Sequence, residues 1–270
     1  MKKSIKLFLL LVLLFFAADR LVCSGIRAID KKVFTGQSGG KVNQFLSLKD
    51  SVNLLVFGSS RASHHLDTKI LEPLSYNMGV DGTRIGYSAA LISSLNRKEQ
   101  TILVHIDQSA IFNIDYSGGD MVSLINVVGR NENISGFISE IHPREFYLSK
   151  IFNCYVYNGK ILGLIKNYFL PKYNHNDYYG YDPLIPNDEQ KQIFKKLIDK
   201  TDFAEFKYNS ASKLPNPLVD KFILKIKEKC KSNNSKLVFF TSPTLKKNED
   251  EFRLKTKKYF ESKGILYYDY

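Results

Sequence analysis

The chain contains no tryptophan, and it has only three cysteines, three methionines and eight prolines among its 270 residues. Three cysteines exclude a disulfide-stapled scaffold, and no spacing of cysteine and histidine indicates a metal site. Apolar residues make up 44% and charged residues 24%, a globular ratio that excludes wholesale disorder, collagen and a polytopic membrane protein. The length fits one large domain or two small ones.

Positive charge is in excess, with 39 Lys and Arg against 27 Asp and Glu and a net charge of +12. The lysines are spread over the whole chain, and basic clusters such as residues 225–229 are interrupted by acids. This pattern is typical of solvated helix surface, and a basic face toward an anionic membrane or wall polymer is the alternative. No recognition motif indicates nucleic-acid binding.

The N-terminus carries a basic segment followed by a short apolar run. Lys2, Lys3 and Lys6 precede Leu7 to Ala18, a pattern of a signal anchor or a secretory signal peptide. The run is shorter than the roughly 20 residues of a full span. Lysines before the run favour an N-terminus inside and a remainder outside the cytoplasm. We therefore assign 1–24 as signal anchor or signal peptide and expect 25–50 to be a polar connector.

Five strand-like runs near residues 53, 76, 103, 238 and 266 alternate with segments of helical periodicity. This alternation predicts an α/β domain over 51–270, with a three-layer flavodoxin-like parallel sheet of order 2-1-3-4-5. Residues 113–215 break the rhythm, being rich in Asn, Tyr and Gly with weak periodicity. About a hundred residues is too long for a plain loop, so we expect a partly helical insertion there.

One motif carries chemistry: the predicted strand Val52–Phe57 runs into Gly58-Ser59-Ser60-Arg61. In open α/β sheets, ligands bind at the carboxyl ends of strands. Gly58 permits a tight turn, and Ser60 would open a helix whose backbone N–H groups favour an oxyanion. After the second predicted strand, residues 77–82 (NMGVDG) form a glycine loop, and we predict the Gly79 amide as a second oxyanion donor.

These two turns together resemble the SGNH (GDSL-type) serine hydrolase superfamily. More narrowly, the chain is similar to a membrane-anchored bacterial branch that includes wall-polymer acyl-transfer proteins, and residues 236–243 (KLVFFTSP) and 264–270 (GILYYDY) add to the likeness. The resemblance covers most of 50–105 and 218–270. It implies Ser60 as the nucleophile and Gly79 in the second block. Where the family has an Asn after the third strand, this chain has Ile-Asp-Gln-Ser, and Gln108 could donate its side-chain amide instead.

The family's catalytic Asp and His lie three residues apart after the last strand, and the sequence given ends at Tyr270, directly after that strand. We therefore expect either a truncated enzyme or a protein without the family's base. A serine without a base is a weak nucleophile. The prediction is an esterase that is at best weakly active.

The five histidines offer no obvious substitute for that base. His64 and His65 are expected to face solvent or a loop, and His105 to lie in the core or at its edge. His175, beside Asp177 in the insertion, is the remaining candidate. Cys154 and Cys230 either pair or stay as free thiols. The insertion's tyrosines either line a sugar-binding groove or fill core and surface: Tyr155, Tyr157, Tyr168, Tyr173, Tyr178, Tyr179 and Tyr181.

Two functions remain open. The first is a membrane-anchored esterase or O-acyltransferase that works on a cell-surface polysaccharide without cofactor or metal, on the outer side of the bacterial cytoplasmic membrane. The second is a non-catalytic SGNH-like module that binds or scaffolds envelope components. A nucleotide-binding protein fits less well, because the Gly58–Arg61 turn lacks the spacing of a phosphate-binding loop.

Overall fold

The structure, a computed structural model, describes residues 2–200, 214–243 and 250–270. The chain divides into two units, each built from two separate segments. Unit 1 contains 1–47 and 120–177, and unit 2 contains 48–119 and 178–270. The predicted insertion at 113–215 is therefore shared between the units, and its residues 201–213 lie outside the described part of the chain.

Unit 2 contains the predicted sheet. Its five strands are all parallel in the order β2-β1-β3-β4-β5, which confirms the predicted fold class and order. The strands are β1 (Leu54–Phe57), β2 (Ser75–Asn77), β3 (Thr101–His105), β4 (Lys236–Thr241) and β5 (Leu266–Asp269). The order reverses between β1 and β3, so the crevice at their carboxyl ends is the expected ligand-binding position of such a sheet.

Helices alternate with these strands because each crossover between parallel strands needs a connecting element. The helices of unit 2 begin with the short α3 (Ser60–His65), α4 (Thr68–Leu71), α5 (Ile85–Ser93) and α6 (Gln108–Ile111). The later ones are α11 (Asp188–Lys200), α12 (Pro217–Ser232) and α13 (Asp250–Ser262). All four residues of β1 are buried, as expected of a central strand covered on both faces.

Unit 1 is helical. Its elements are α1 (Lys2–Asp30), a π-helical turn (Gly36–Gly40), α2 (Lys41–Leu48), a 3-10 segment (Gly119–Val127), α7 (Glu132–Ile141), α8 (Pro143–Ile151), a second 3-10 segment (Asn153–Tyr157), α9 (Ile161–Phe169) and α10 (His175–Tyr178). The expected polar connector over 25–50 is thus largely helical. Its glycines Gly36 and Gly39 have positive φ and form a turn between helices.

Helix α1 has two halves of different character. Leu7 to Phe15 expose their apolar side chains almost without exception, while Cys23 and Asp30 are buried inside unit 1. The helix, with 29 residues and a mean hydropathy of 2.3 over its most apolar window, is long and apolar enough to cross a membrane, a property that a signal sequence shares.

An ion pair between the partly exposed Arg130 and the buried Asp30 holds the second half of α1 in unit 1. The Asp30 carboxylate accepts hydrogen bonds from Arg130 at 3.1 Å and from the Tyr157 hydroxyl at 3.1 Å. The Asn43 amide on α2 donates to another Asp30 oxygen at 3.0 Å. These three donors compensate the buried carboxylate.

Candidate functional site

The predicted turn after β1 has the geometry that its glycine indicated. Gly58 has φ of +143°, and a Cβ atom placed on it would lie 2.7 Å from Cβ of His105. The close approach brings the end of β1 against the end of β3, so a side chain at this position would force the strands apart. Gly58 is therefore required both by its backbone angle and by packing.

Ser60 is the first residue of α3, as predicted, and it is half-buried. Its hydroxyl has no hydrogen-bond partner in the described part of the chain. Helix α3 has only six residues, so its dipole and free N–H groups are a weaker oxyanion site than a long helix provides. Ser60 is thus available to a ligand, but no base contacts it.

The loop after β2 packs directly on α3. A Cβ atom on Gly79 would lie 2.5 Å from the Ser63 nitrogen. The Gly79 amide donates to Asn77 Oδ1 at 2.9 Å, in a buried position. The glycine is thus explained by close packing, and its amide would have to exchange this bond to act as the predicted oxyanion donor.

Gln108, the third predicted site residue, is the first residue of α6 and is buried. Its side-chain amide lies 3.4 Å from the Tyr267 hydroxyl on β5, and that hydroxyl is also 2.9 Å from Thr241 Oγ1 on β4. The amide is therefore directed toward β4 and β5 rather than toward β1. Its Oε1 atom is buried without a partner in the described residues.

A histidine and a serine meet at the carboxyl ends of β3 and β4. His105 Nε2 lies 3.1 Å from Ser242 Oγ, and both residues are buried. Burial is the main cause that lowers the pKa of His105 to about 4, and the charges of Arg61 and His65 act in the same direction. The carboxylate of Asp107 opposes the shift. The imidazole is therefore neutral near pH 7.

An ion pair spans the crevice between β1 and β3. Arg61 Nη1 on α3 lies 2.8 Å from Asp107 Oδ1, which directly precedes α6. Both side chains are partly exposed, at 31% and 44%. The pair places a guanidinium directly after Ser60 in sequence and ties it to the carboxylate that follows β3.

His64 is more enclosed than the sequence suggested. Its Nε2 atom lies 3.0 Å from the Asp81 carboxylate, and its Nδ1 atom lies 2.6 Å from the backbone carbonyl of Asp182. His65, its neighbour, is exposed as predicted. Both ring nitrogens of His64 are thus engaged by oxygen atoms, one of a carboxylate and one of a backbone carbonyl.

Residues 178–182, which we call the strap, bring the Asp182 carbonyl to His64. The backbone carbonyl of Tyr179 accepts a hydrogen bond from Asn77 at 2.9 Å, so the strap lies along the outer edge of β2. The Asp182 amide donates to the Ser63 carbonyl at 3.0 Å. The strap thus ties the middle of the chain to α3 and the loop after β2.

Two further candidates, His175 and Tyr157, lie in unit 1 and have local explanations there. The His175 ring stacks on Phe34, with ring centres 5.0 Å apart. Tyr157 is buried and hydrogen-bonded to Asp30, so it fills the core rather than lining a groove.

Neither a metal site nor a similarity to known proteins assigns a function to these residues. Within residues 2–200, 214–243 and 250–270, no group of three or more His, Cys, Asp or Glu could hold a metal ion. Comparison of the chain with protein-family models, with curated proteins and with solved structures finds no match. The geometry of unit 2 is therefore the basis on which function is inferred.

Proposed function

We propose that the protein is a membrane-anchored serine esterase or O-acyltransferase of the SGNH type, which acts on a cell-envelope glycan through an acyl-serine intermediate on Ser60. The position of Ser60 carries the proposal. It follows β1 at the point where the strand order reverses, and its half-buried hydroxyl is uncommitted among the described residues. Ligands bind at such switch points in open α/β sheets.

In the proposed reaction, Ser60 Oγ attacks the acyl carbonyl, expels an alcohol and then passes the acyl group to water or to a glycan hydroxyl. The serine proton needs a base. His64 lies one helical turn after Ser60, on the same side of α3, and Asp81 would stabilise its imidazolium. Its Nδ1 becomes free only if the strap releases the bond to the Asp182 carbonyl. We therefore assign His64 as the first candidate base.

The membrane part of the proposal rests on α1 and its charges. The apolar side chains of its first half are exposed, and Lys2, Lys3 and Lys6 precede them. Positive residues before a span favour an N-terminus inside the cytoplasm. Units 1 and 2 then lie on the outer side of the bacterial cytoplasmic membrane, where wall polysaccharide is the available acyl acceptor. No nucleic-acid partner belongs to this proposal.

A fluorophosphonate probe, which reacts with activated serines, tests the nucleophile in detergent-solubilised full-length protein. We expect slow labelling that Ser60→Ala removes and Ser59→Ala keeps, with the modified peptide identified by mass spectrometry. His64→Gln should reduce labelling at least tenfold if His64 is the base, whereas His65→Gln should leave it unchanged. Labelling that survives Ser60→Ala, or an unlabelled wild-type protein, would overturn Ser60 as nucleophile.

The second candidate is a non-catalytic SGNH-like module that binds or scaffolds envelope components. The two hydrogen bonds that occupy both ring nitrogens of His64 favour it, because they leave Ser60 without a base. An unlabelled protein that retains wall polysaccharide in a pull-down would support this candidate. Loss of that retention in an Arg61→Ala variant would place the binding at the crevice.

Topology is tested separately with reporter fusions after residue 50. An alkaline-phosphatase fusion should be active and a cytoplasmic reporter at the same position inactive. Removal of Lys2, Lys3 and Lys6 together should weaken this preference, because the charge bias that sets the orientation is lost. The reverse pattern of reporter activity in the unaltered chain would contradict an extracytoplasmic location.

A further inference from the structure

Within unit 1, the second half of α1 is fastened to the 3-10 segment Asn153–Tyr157 through one carboxylate. The Asp19 side chain accepts the backbone N–H of Asn153 at 2.6 Å and that of Cys154 at 2.9 Å. These bonds satisfy the first amides of the segment, in the manner of a helix cap supplied by another helix. They also hold the Cys154 backbone against Asp19, which lies one helical turn before Cys23 on α1.

The same contacts bring two thiols together. The Cys23 thiol lies 3.3 Å from the Asn153 carbonyl, and the Cys154 thiol lies 3.2 Å from the Asp19 backbone carbonyl. Each thiol thus contacts the backbone beside the other cysteine, because Asn153 directly precedes Cys154 and Asp19 lies one helical turn before Cys23. Cys23 is 1% exposed, while Cys154 is half-buried. Cys154 is therefore the more accessible of the two cysteines.

We propose that Cys23 and Cys154 form a disulfide that joins the second half of α1 covalently to the 3-10 segment Asn153–Tyr157. In the mature protein the bond forms by exchange with an external disulfide, such as that of a thiol oxidoreductase. The Cys154 thiolate attacks that disulfide and releases one thiolate; the Cys23 thiolate then attacks the Cys154 sulfur and releases the second. Two thiols are oxidised, one external disulfide is reduced, and the two protons go to solvent.

The proposal rests on the extracytoplasmic location proposed above, because disulfides persist in oxidising compartments. Burial and the Asp19 contacts raise the pKa of Cys154 to about 11. Thiolate is therefore scarce near neutral pH, and exchange should accelerate as the pH rises. The third cysteine serves as an internal control, because Cys230 is buried in α12 of unit 2.

Tryptic peptides report the bond directly. Cells that make the full-length chain are treated with N-ethylmaleimide, and the protein is digested without reductant. We expect residues 21–27 joined to 151–160, with Cys230 alkylated. The joined peptide should be absent from Cys23→Ser and unchanged in Cys230→Ser. Alkylation of both Cys23 and Cys154, or a cross-link through Cys230, would overturn the proposal.

A second arm separates the geometry from the compartment. Purified, reduced full-length protein is incubated with oxidised glutathione, and the joined peptide should form severalfold faster at about pH 8.5 than at about pH 7. A stable glutathione adduct on Cys154 without the joined peptide would show that the thiols cannot reach each other. A Cys23–Cys154 disulfide that forms with glutathione but is absent from the protein taken from cells would overturn the proposal that the bond exists in the cell. Neither result depends on Ser60 labelling, so failure of the catalytic proposal remains distinguishable.

Discussion

The His105 imidazole and the Ser242 hydroxyl form a buried hydrogen bond of 3.1 Å that joins the carboxyl ends of β3 and β4. Gly58 of the neighbouring turn packs against the same histidine. His105 is therefore shared by three consecutive strands of the sheet. Protonation of His105 should therefore disturb the packing at the carboxyl ends of β1, β3 and β4.

Stability should fall with acid because of His105. Its folded-state pKa is about 4 and its ordinary value is 6.5, so the unfolded chain binds the proton first. The histidine has no effect on stability above about pH 6.5, and it destabilises the fold progressively as the pH falls toward 4, by roughly 3 kcal/mol at most. His105→Asn should flatten this part of the curve. Denaturant unfolding between about pH 4 and pH 7.5 measures it, and identical slopes for both proteins would refute it.

Gly58→Ala should destabilise unit 2 by roughly 2–4 kcal/mol. The added methyl group would meet His105 at 2.7 Å, and the residue would keep a positive φ. Gly82→Ala is the matched control, because Gly82 also has positive φ but has open space around it. It should cost only about 1 kcal/mol. Equal losses for the two variants in denaturant unfolding would show that packing against His105 is unimportant.

Asn77→Ala should cost roughly 2–3 kcal/mol, because it leaves buried partners unpaired. The Asn77 amide nitrogen donates to the carbonyls of Ala62 at 2.7 Å and Leu66 at 2.8 Å. Asn77→Asp keeps the acceptor for the Gly79 amide but turns a carboxylate toward two carbonyl oxygens, so it should be at least as destabilising. An Asp variant as stable as wild type in thermal unfolding would contradict these contacts.

The Arg61–Asp107 ion pair should contribute little to stability. Both side chains are partly exposed, and such pairs are typically worth about 0.2–1 kcal/mol. A double-mutant cycle with Arg61→Ala and Asp107→Ala measures the coupling. A value above about 2 kcal/mol would contradict this expectation. A tenfold change in probe labelling by either variant, with stability preserved, would indicate that the pair meets the substrate.

The sheet was predictable because its signals are local. Each strand is a short apolar run, and Gly58 stands where the chain leaves β1 and passes close to the end of β3. The order of the strands followed from the alternation of strands and helices. The availability of Ser60 to a ligand also agrees with the motif, whereas its catalytic role stays a prediction.

The contacts around the site were not predictable, since they join residues far apart in the chain. Nothing near His64 in the sequence indicates Asp81 or the carbonyl of Asp182, and nothing near His105 indicates Ser242. The helical structure within 25–50 was not predictable for a similar reason. Its glycines suggested a loop, but the buried Asp30 finds its partner in Arg130, a hundred residues later.

The division of each unit into two chain segments has a consequence for the order of folding. During synthesis β1, β2 and β3 emerge first, and the strand that pairs with β3 follows only after the second segment of unit 1, since Thr101 pairs with Lys236. The β3 edge stays unpaired in that interval, and pairings of such large sequence separation form slowly. The nascent chain would therefore expose the unpaired edge of β3 until residues 236–241 are made, and we expect this interval to be the one most prone to aggregation.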